Sequence, residues 1–143
     1  MMNKDPFYGA RTYAVQYQLD HTKGVRKLLS DRYLIAERRY KGDTDASDIL
    51  IDLSRAIDMA SLSDKQAEAV ALVYGYWQLT QQEAGQVMQV SQKQVSTYLT
   101  GAIRAITAVF KEWEYGQIIV ELAWEEEADY VAESGSNPYS IHS

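Results

Sequence analysis

Three helix-start signals lie close together in the middle of the chain and constrain its fold more than any other feature. Each places a Ser or Thr three positions before a Glu or Gln. The pairs are Ser63 with Gln66, Thr80 with Glu83, and Ser91 with Gln94. This spacing is typical of a capping box, in which the hydroxyl and the N3 side chain each accept a hydrogen bond from the other residue's amide. The three boxes predict short helices packed at angles.

The proline distribution extends the helical prediction to the rest of the chain. Its two prolines, Pro6 and Pro138, lie near the termini, so no proline breaks a helix between them. Apolar residues recur at helical spacing from about Tyr8 to Tyr40, with an interruption near Gly24. We therefore predict an all-α protein with a helical N-terminal segment.

Two further segments complete this outline. Residues 48–60 carry one apolar stripe and follow Ser47 or Asp45, either of which can cap the helix. Residues 111–130 fit a terminal helix, although the β-branched run at residues 118–120 is also compatible with a short strand. We favour the helix there. Small and polar residues at 133–143 predict a disordered tail.

The net charge of −6 is unevenly distributed. Residues 1–110 hold 13 Lys and Arg against 12 Asp and Glu, whereas residues 111–143 hold one Lys against eight acidic residues. The bulk of the chain is therefore close to neutral, and the overall acidity does not argue against nucleic-acid binding. We predict three segments, with residues 1–60 helical, residues 61–110 DNA-binding, and residues 111–143 an acidic C-terminal extension.

The composition argues against several classes of function. There is no cysteine, which removes disulfides and thiolate metal sites, and His21 and His142 are too far apart to predict a metal cluster or a catalytic triad. The glycines form no phosphate-binding loop, and the acidic run at residues 125–127 is not an acid–base pair. We predict no catalytic residues, no metal and no cofactor, hence no enzyme. Without a signal-like or membrane-spanning apolar run, we expect a cytoplasmic protein without membrane contact.

Residues 80–106 have the features of a helix-turn-helix, which needs small residues where its helices cross and apolar residues on both inner faces. Ala84 and Gly85 allow the close approach, Val87 or Met88 fills the space between the helices, and Val90 closes the turn. The inner stripe of the second helix comprises Val95, Tyr98, Leu99, Ala102, Ile103 and Ile106. The opposite face is polar.

We also expect Trp77, just before the motif, to lie in the core, and Trp113 and Trp124 to serve either the core or an interface.

This segment resembles region 4 of the sigma-70 factors, and most closely the short sigma-like helix-turn-helix proteins of phages and prophages of Gram-positive bacteria. The resemblance rests on twelve positions across about fifty residues. They are Leu62, Glu68, Leu72, Tyr74, Leu79, Thr80, Glu83, Gly85, Met88, Val90, Ser91 and Val95. It implies a DNA-binding domain that reads the promoter −35 element and contacts the flap of RNA polymerase.

Carried over to this chain, the resemblance implies a set of DNA-reading residues on the second helix. They are Gln92, Lys93, Gln94, Ser96, Thr97 and Thr100, with Arg104 as a phosphate contact. Two features depart from the family. Gln89 stands at a turn position that usually holds Gly and often needs a positive φ. The recognition helix is also poor in arginine, so we expect weak DNA binding by a monomer, with homo-oligomerisation or RNA polymerase compensating.

The favoured function is a phage or prophage transcription regulator that binds double-stranded DNA. Two alternatives stay open. One is an interaction module that keeps the fold but binds polymerase or another regulator without reading DNA. The other is a DNA-packaging component such as a small terminase subunit, which would form a ring-sized oligomer.

Overall fold

The computed structural model describes residues 10–38 and 44–125. The elements in chain order are β1 (Ala10–Gln18), α1 (Thr22–Arg38), α2 (Thr44–Met59), α3 (Asp64–Tyr74), α4 (Gln81–Met88), α5 (Gln92–Glu112) and β2 (Gln117–Glu125). The fold is mostly α-helical, as predicted, with the addition of a small two-stranded sheet. The predicted disordered tail at residues 133–143, with His142, lies outside the described residues.

The sheet corrects two helix predictions, because residues 10–18 and 117–125 are strands. They pair antiparallel, with Val15 opposite Val120. Side chains alternate along each strand as the strand period requires: Tyr17 and Val120 are buried, whereas Gln16 and Ile119 point outward and are exposed. Each strand obtains its backbone partners from the far end of the chain, so local periodicity did not reveal the pairing.

Helix α5 connects two apolar clusters. Its 21 residues correspond to a length of about 32 Å. The first part packs Val95 and Leu99 into a cluster with α3 and α4, and the second part packs Ile106 and Phe110 into a cluster with β1, α1, α2 and β2. A single helix therefore carries side chains of both cores.

Tyr74, at the end of α3, joins the two clusters. Together with Leu62, it packs against both of them. Its hydroxyl also accepts a hydrogen bond from Nη1 of Arg26 on α1, at 3.0 Å. This contact ties the first helix to the segment that holds the helix-turn-helix.

Gly24 lies where α1 starts against the end of β1. A Cβ atom at this position would lie 1.8 Å from the carbonyl oxygen of Gln18 and 2.5 Å from its carbonyl carbon. These are backbone atoms, so they cannot move aside as a flexible side chain would. The glycine predicted as a helix interruption is thus the place where the chain turns tightly from strand to helix.

We expect Gly24→Ala to lower the free energy of unfolding by about 3 kcal/mol, because the added methyl group overlaps backbone that is held in the sheet. Gly116→Ala is the matched control. A Cβ at Gly116 meets nothing within 4 Å, so its effect should stay within about 0.5 kcal/mol. Urea unfolding followed by circular dichroism measures both, and equal effects of the two substitutions would contradict the tight strand-to-helix junction.

Candidate nucleic-acid interface

Two of the three predicted capping boxes are confirmed. At the start of α4, Thr80 Oγ1 accepts a hydrogen bond from the Glu83 amide at 3.1 Å, and Glu83 Oε1 accepts one from the Thr80 amide at 2.9 Å. Ser63 and Gln66 form the same pair of bonds at α3. At α5, Ser91 Oγ accepts a hydrogen bond from the Gln94 amide at 3.1 Å, and this is the one of the two capping-box hydrogen bonds that forms there. The Gln94 side chain is consequently not held by the cap.

The turn between α4 and α5 has a left-handed residue at Gln89, the position that usually holds Gly in the family that this segment resembles. Gln89 has φ 61° and ψ 43°, and its amide donates to the carbonyl oxygens of Gln86 and Gly85. The Val90 amide also donates to Gly85 O, at 2.9 Å. A Cβ at Gly85 would lie 2.7 Å from the Val90 carbonyl oxygen, so this close return of the chain depends on glycine.

The interior of the helix-turn-helix follows the predicted stripe. Of the two candidates for filling the space between the helices, Met88 is buried, whereas Val87 is 56% exposed. Ala84 lies at the crossing and is fully buried. Val95 and Leu99 meet it from α5 in the same cluster. The core therefore determines which face of α5 remains outside.

The seven predicted DNA-reading residues lie along the first part of α5. Gln92, Lys93, Thr97 and Arg104 are exposed, and Gln94, Ser96 and Thr100 are half-buried. Lys93, Ser96, Thr97, Thr100 and Arg104 follow helical spacing, so they share the face opposite the buried stripe. From Lys93 to Arg104 this face is roughly 16 Å long, by the helical rise.

The chemistry of this polar face is mixed. The amide side chains of Gln92 and Gln94 offer both donors and acceptors, and Lys93 is a donor only. Thr97 Oγ1 donates to the Lys93 carbonyl oxygen at 3.1 Å, so its hydroxyl presents acceptor lone pairs outward. Such groups can hydrogen bond to base edges and to phosphates.

The part of the chain that holds this face, together with the preceding helix α3, has no net charge. Residues 59–107 contain three cations and three anions. They are Lys65, Lys93 and Arg104, and Asp64, Glu68 and Glu83. Counter-ion release from DNA grows with the number of phosphates that a protein neutralises, so this segment provides little non-specific affinity.

Trp77 is not in the core, contrary to the sequence prediction. It is 69% exposed and its neighbour Tyr76 is 82% exposed, in the loop between α3 and α4. The hydrophobic anchor of this loop is Leu79, which packs on the helix-turn-helix cluster and donates its amide to Leu72 O at 2.9 Å. The loop therefore turns its two aromatic residues outward, where they are available to a partner.

Trp113 packs against the core, which is one of the two roles, core or interface, that the sequence allowed for it. Its ring meets the Phe110 ring edge-on, with centroids 5.8 Å apart, and the Arg55 guanidinium lies 5.6 Å from the Trp113 ring centroid. The side chain of Trp124 lies outside the described residues.

In residues 10–38 and 44–125, no three His, Cys, Asp or Glu side chains come together in a way that could hold a metal ion. None of the helices in that part of the chain has both the length and the apolar character needed to cross a bilayer.

We expect Gln89→Gly to raise the free energy of unfolding by about 0.5–1 kcal/mol. Glycine removes a strain of about 1–2 kcal/mol from the left-handed backbone of the folded state. Part of this gain is lost, because glycine also increases the conformational entropy of the unfolded chain. Gln89→Ala removes the same side chain but keeps a Cβ, so it should not stabilise. Thermal unfolding distinguishes them, and an alanine variant as stable as the glycine variant would exclude backbone strain as the cause.

In a comparison with protein families, residues 59–107 fit the model of Sigma-70, region 4. The match covers roughly a third of the chain, from the end of α2 into the second part of α5. Comparisons with curated proteins and with solved structures found no match. Region 4 is a DNA-binding regulatory domain, not a catalytic one. Residues 59–107 are therefore a sigma region 4-like helix-turn-helix, which indicates a DNA-binding regulator.

Proposed function

We propose that the protein is a transcription regulator of the phage or prophage type that reads promoter DNA through α5. The observation that carries the proposal is the polar face of α5, which stands opposite a buried stripe within the segment that matches Sigma-70, region 4. Helix-turn-helix proteins place such a helix in the major groove, with its N-terminal residues on the base edges.

The position of each residue along α5 suggests its role. Gln92, Lys93, Gln94, Ser96 and Thr97 occupy the first two turns, which a major groove about 12 Å wide accommodates. A glutamine amide pairs with the N6 and N7 edge of adenine, and lysine donates to guanine.

Further along the same helix, Thr100 and Arg104 lie one to two turns beyond the base-reading positions. At that distance the helix would leave the groove, so we assign these two residues to contacts with the sugar-phosphate backbone.

The neutral charge of the matched segment supports a role for a second binding partner. Lys93 and Arg104 are the cations on the proposed reading face. Two cations are a small number for a protein that binds DNA without a partner. Contact with RNA polymerase, as the region 4 family implies, or association of two copies on one site would supply the missing affinity. The exposed Tyr76 and Trp77 offer aromatic side chains of the kind enriched in protein interfaces.

The test of DNA reading is selection of bound sequences from random duplex DNA by the purified full chain. We expect a motif to be enriched, and the enrichment to be lost in the Lys93→Ala, Thr97→Ala double variant. Thr22→Ala, Lys23→Ala changes the same residue types at exposed positions of α1 and should leave the motif unchanged. Selection without any enriched motif, even at low salt, would refute sequence reading by α5.

The charge of the reading face predicts a shallow salt dependence. With Lys93 and Arg104 each neutralising a phosphate, log K should fall against log salt concentration with a slope of about −2. Lys93→Ala should reduce this slope to about −1, whereas Lys23→Ala should leave it unchanged. Titration of labelled duplex at several salt concentrations measures it. A slope steeper than about −5 would mean that cations outside this face hold the DNA.

A second candidate function is favoured by the exposed aromatic pair. In that case the domain binds polymerase or another regulator through Tyr76 and Trp77 without reading DNA. Tyr76→Ser with Trp77→Ser would then abolish polymerase capture, and DNA selection would fail in the same preparation. A ring-sized oligomer in sedimentation experiments would instead favour the DNA-packaging function.

A further inference from the structure

Within the described residues, one edge of β2 has no strand paired to it. In the described part of the chain the sheet has two strands, and β1 occupies one edge of β2 from Gln117 to Glu125. The amide and carbonyl groups of the opposite edge have no strand beside them. An edge of this kind is a template on which another extended segment can add.

A cleft of about 330 Å³ lies beside this edge, between β2 and α2. It is lined by Asp48, Ile49 and Asp52 from the helix, by residues 118–120 from the strand, and by Tyr115. Helix α2 packs more closely against β2 than against β1, which places the cleft toward the side of β2 that β1 leaves open. We call it the β2-edge cleft.

A second cleft of about 380 Å³ adjoins the β2-edge cleft across the hydrogen-bonded pair of Asp52 and Tyr115, which lines both, and it extends to Arg55 and Trp113. Asp48 and Arg55 are seven residues apart on α2, which corresponds to roughly 10 Å of helix. Together the two clefts follow α2 along this length, and the walls of the β2-edge cleft are apolar where Ile49 and residues 118–120 form them.

The helix side of the cleft is acidic. The Tyr115 hydroxyl donates a hydrogen bond to Asp52 Oδ2, and Arg55 approaches Asp52 Oδ1 only to 3.9 Å from an exposed position. Burial, the hydrogen bond to Asp52 and the negative charges of Asp52 and Asp48 together raise the pKa of Tyr115 to about 12. A cationic side chain placed in the cleft would meet two carboxylates.

We propose that the β2-edge cleft binds an extended segment of a partner protein, which adds to β2 as a third strand and places a lysine or arginine against Asp48 and Asp52. Backbone hydrogen bonds to the strand edge would supply affinity, and the pattern of apolar and cationic side chains would supply specificity. The proposal does not depend on DNA reading by α5, because the cleft lies outside residues 59–107.

Charge argues against two other occupants. Residues 126–143 contain four acidic residues and no Lys or Arg, so they would bring like charge to Asp48 and Asp52. A second copy that paired β2 with β2 about a two-fold axis would bring the two acidic cleft walls together, along with Glu121 of each strand. A basic partner segment removes this repulsion.

The test uses the isotopically labelled full chain and a nine-residue peptide of alternating valine and lysine. Two matched peptides carry glutamate in place of lysine, or proline in place of the central valine. We expect amide shift changes at residues 117–121 and 48–52 with the valine–lysine peptide. Binding should weaken about tenfold with glutamate, from charge repulsion, and about tenfold with proline, from lost strand pairing.

Protein variants identify the carboxylates. Asp48→Asn should weaken binding of the valine–lysine peptide about threefold, as expected for an exposed ion pair. Asp58→Asn makes the same change at an exposed position of α2 outside the cleft and should have no effect. No shift changes in these residues, or equal binding of the lysine and glutamate peptides, would overturn the proposal. It would also be overturned if residues 117–121 shift on dilution of the protein alone, because the occupant is then a second copy.

Discussion

The structure depends on the burial of one face of α5 in two apolar clusters at once. Val95 and Leu99 pack with α3 and α4, while Ile106 and Phe110 pack with the sheet and the first two helices. Because side chains on one helix are fixed relative to each other, the rotation of α5 has to satisfy both clusters. The exposed polar face is what remains after that double constraint.

Packing along its whole length suits the DNA-reading role that we propose for α5. Side chains on a helix that is packed along its length are presented with little backbone freedom, so less ordering is needed when they meet a base edge. The same segment carries balanced charge, with Lys93 and Arg104 as the cations on the proposed reading face. Under the proposed function, the domain would supply selectivity, and affinity would come from a further contact. The aromatic loop at Tyr76 and Trp77 and the β2-edge cleft are two separate surfaces for such contacts.

The sheet brings the two ends of the described chain together around α5. Tyr17 of β1 and Val120 of β2 lie in the same cluster as α1 and α2, so the N-terminal part and the strand after α5 share one core. The hydrogen bond between Arg26 and Tyr74 then couples that core to the helix-turn-helix. A ligand bound at the β2 edge would therefore act on elements that contact the second part of α5.

Local sequence predicted the features that depend on neighbouring residues. Capping at Ser63 and Thr80 follows from side chains three positions apart, and the buried stripe of α5 follows from helical spacing. The left-handed conformation of Gln89 did not follow from its own side chain, because the turn type depends on how α4 and α5 pack. The strands, in contrast, depend on tertiary pairing, because β1 and β2 are stable only when paired across about 100 residues of chain. The tertiary structure also decided the exposure of Trp77, since burial of an aromatic ring depends on which distant surface reaches it, and here Leu79 anchors the loop instead.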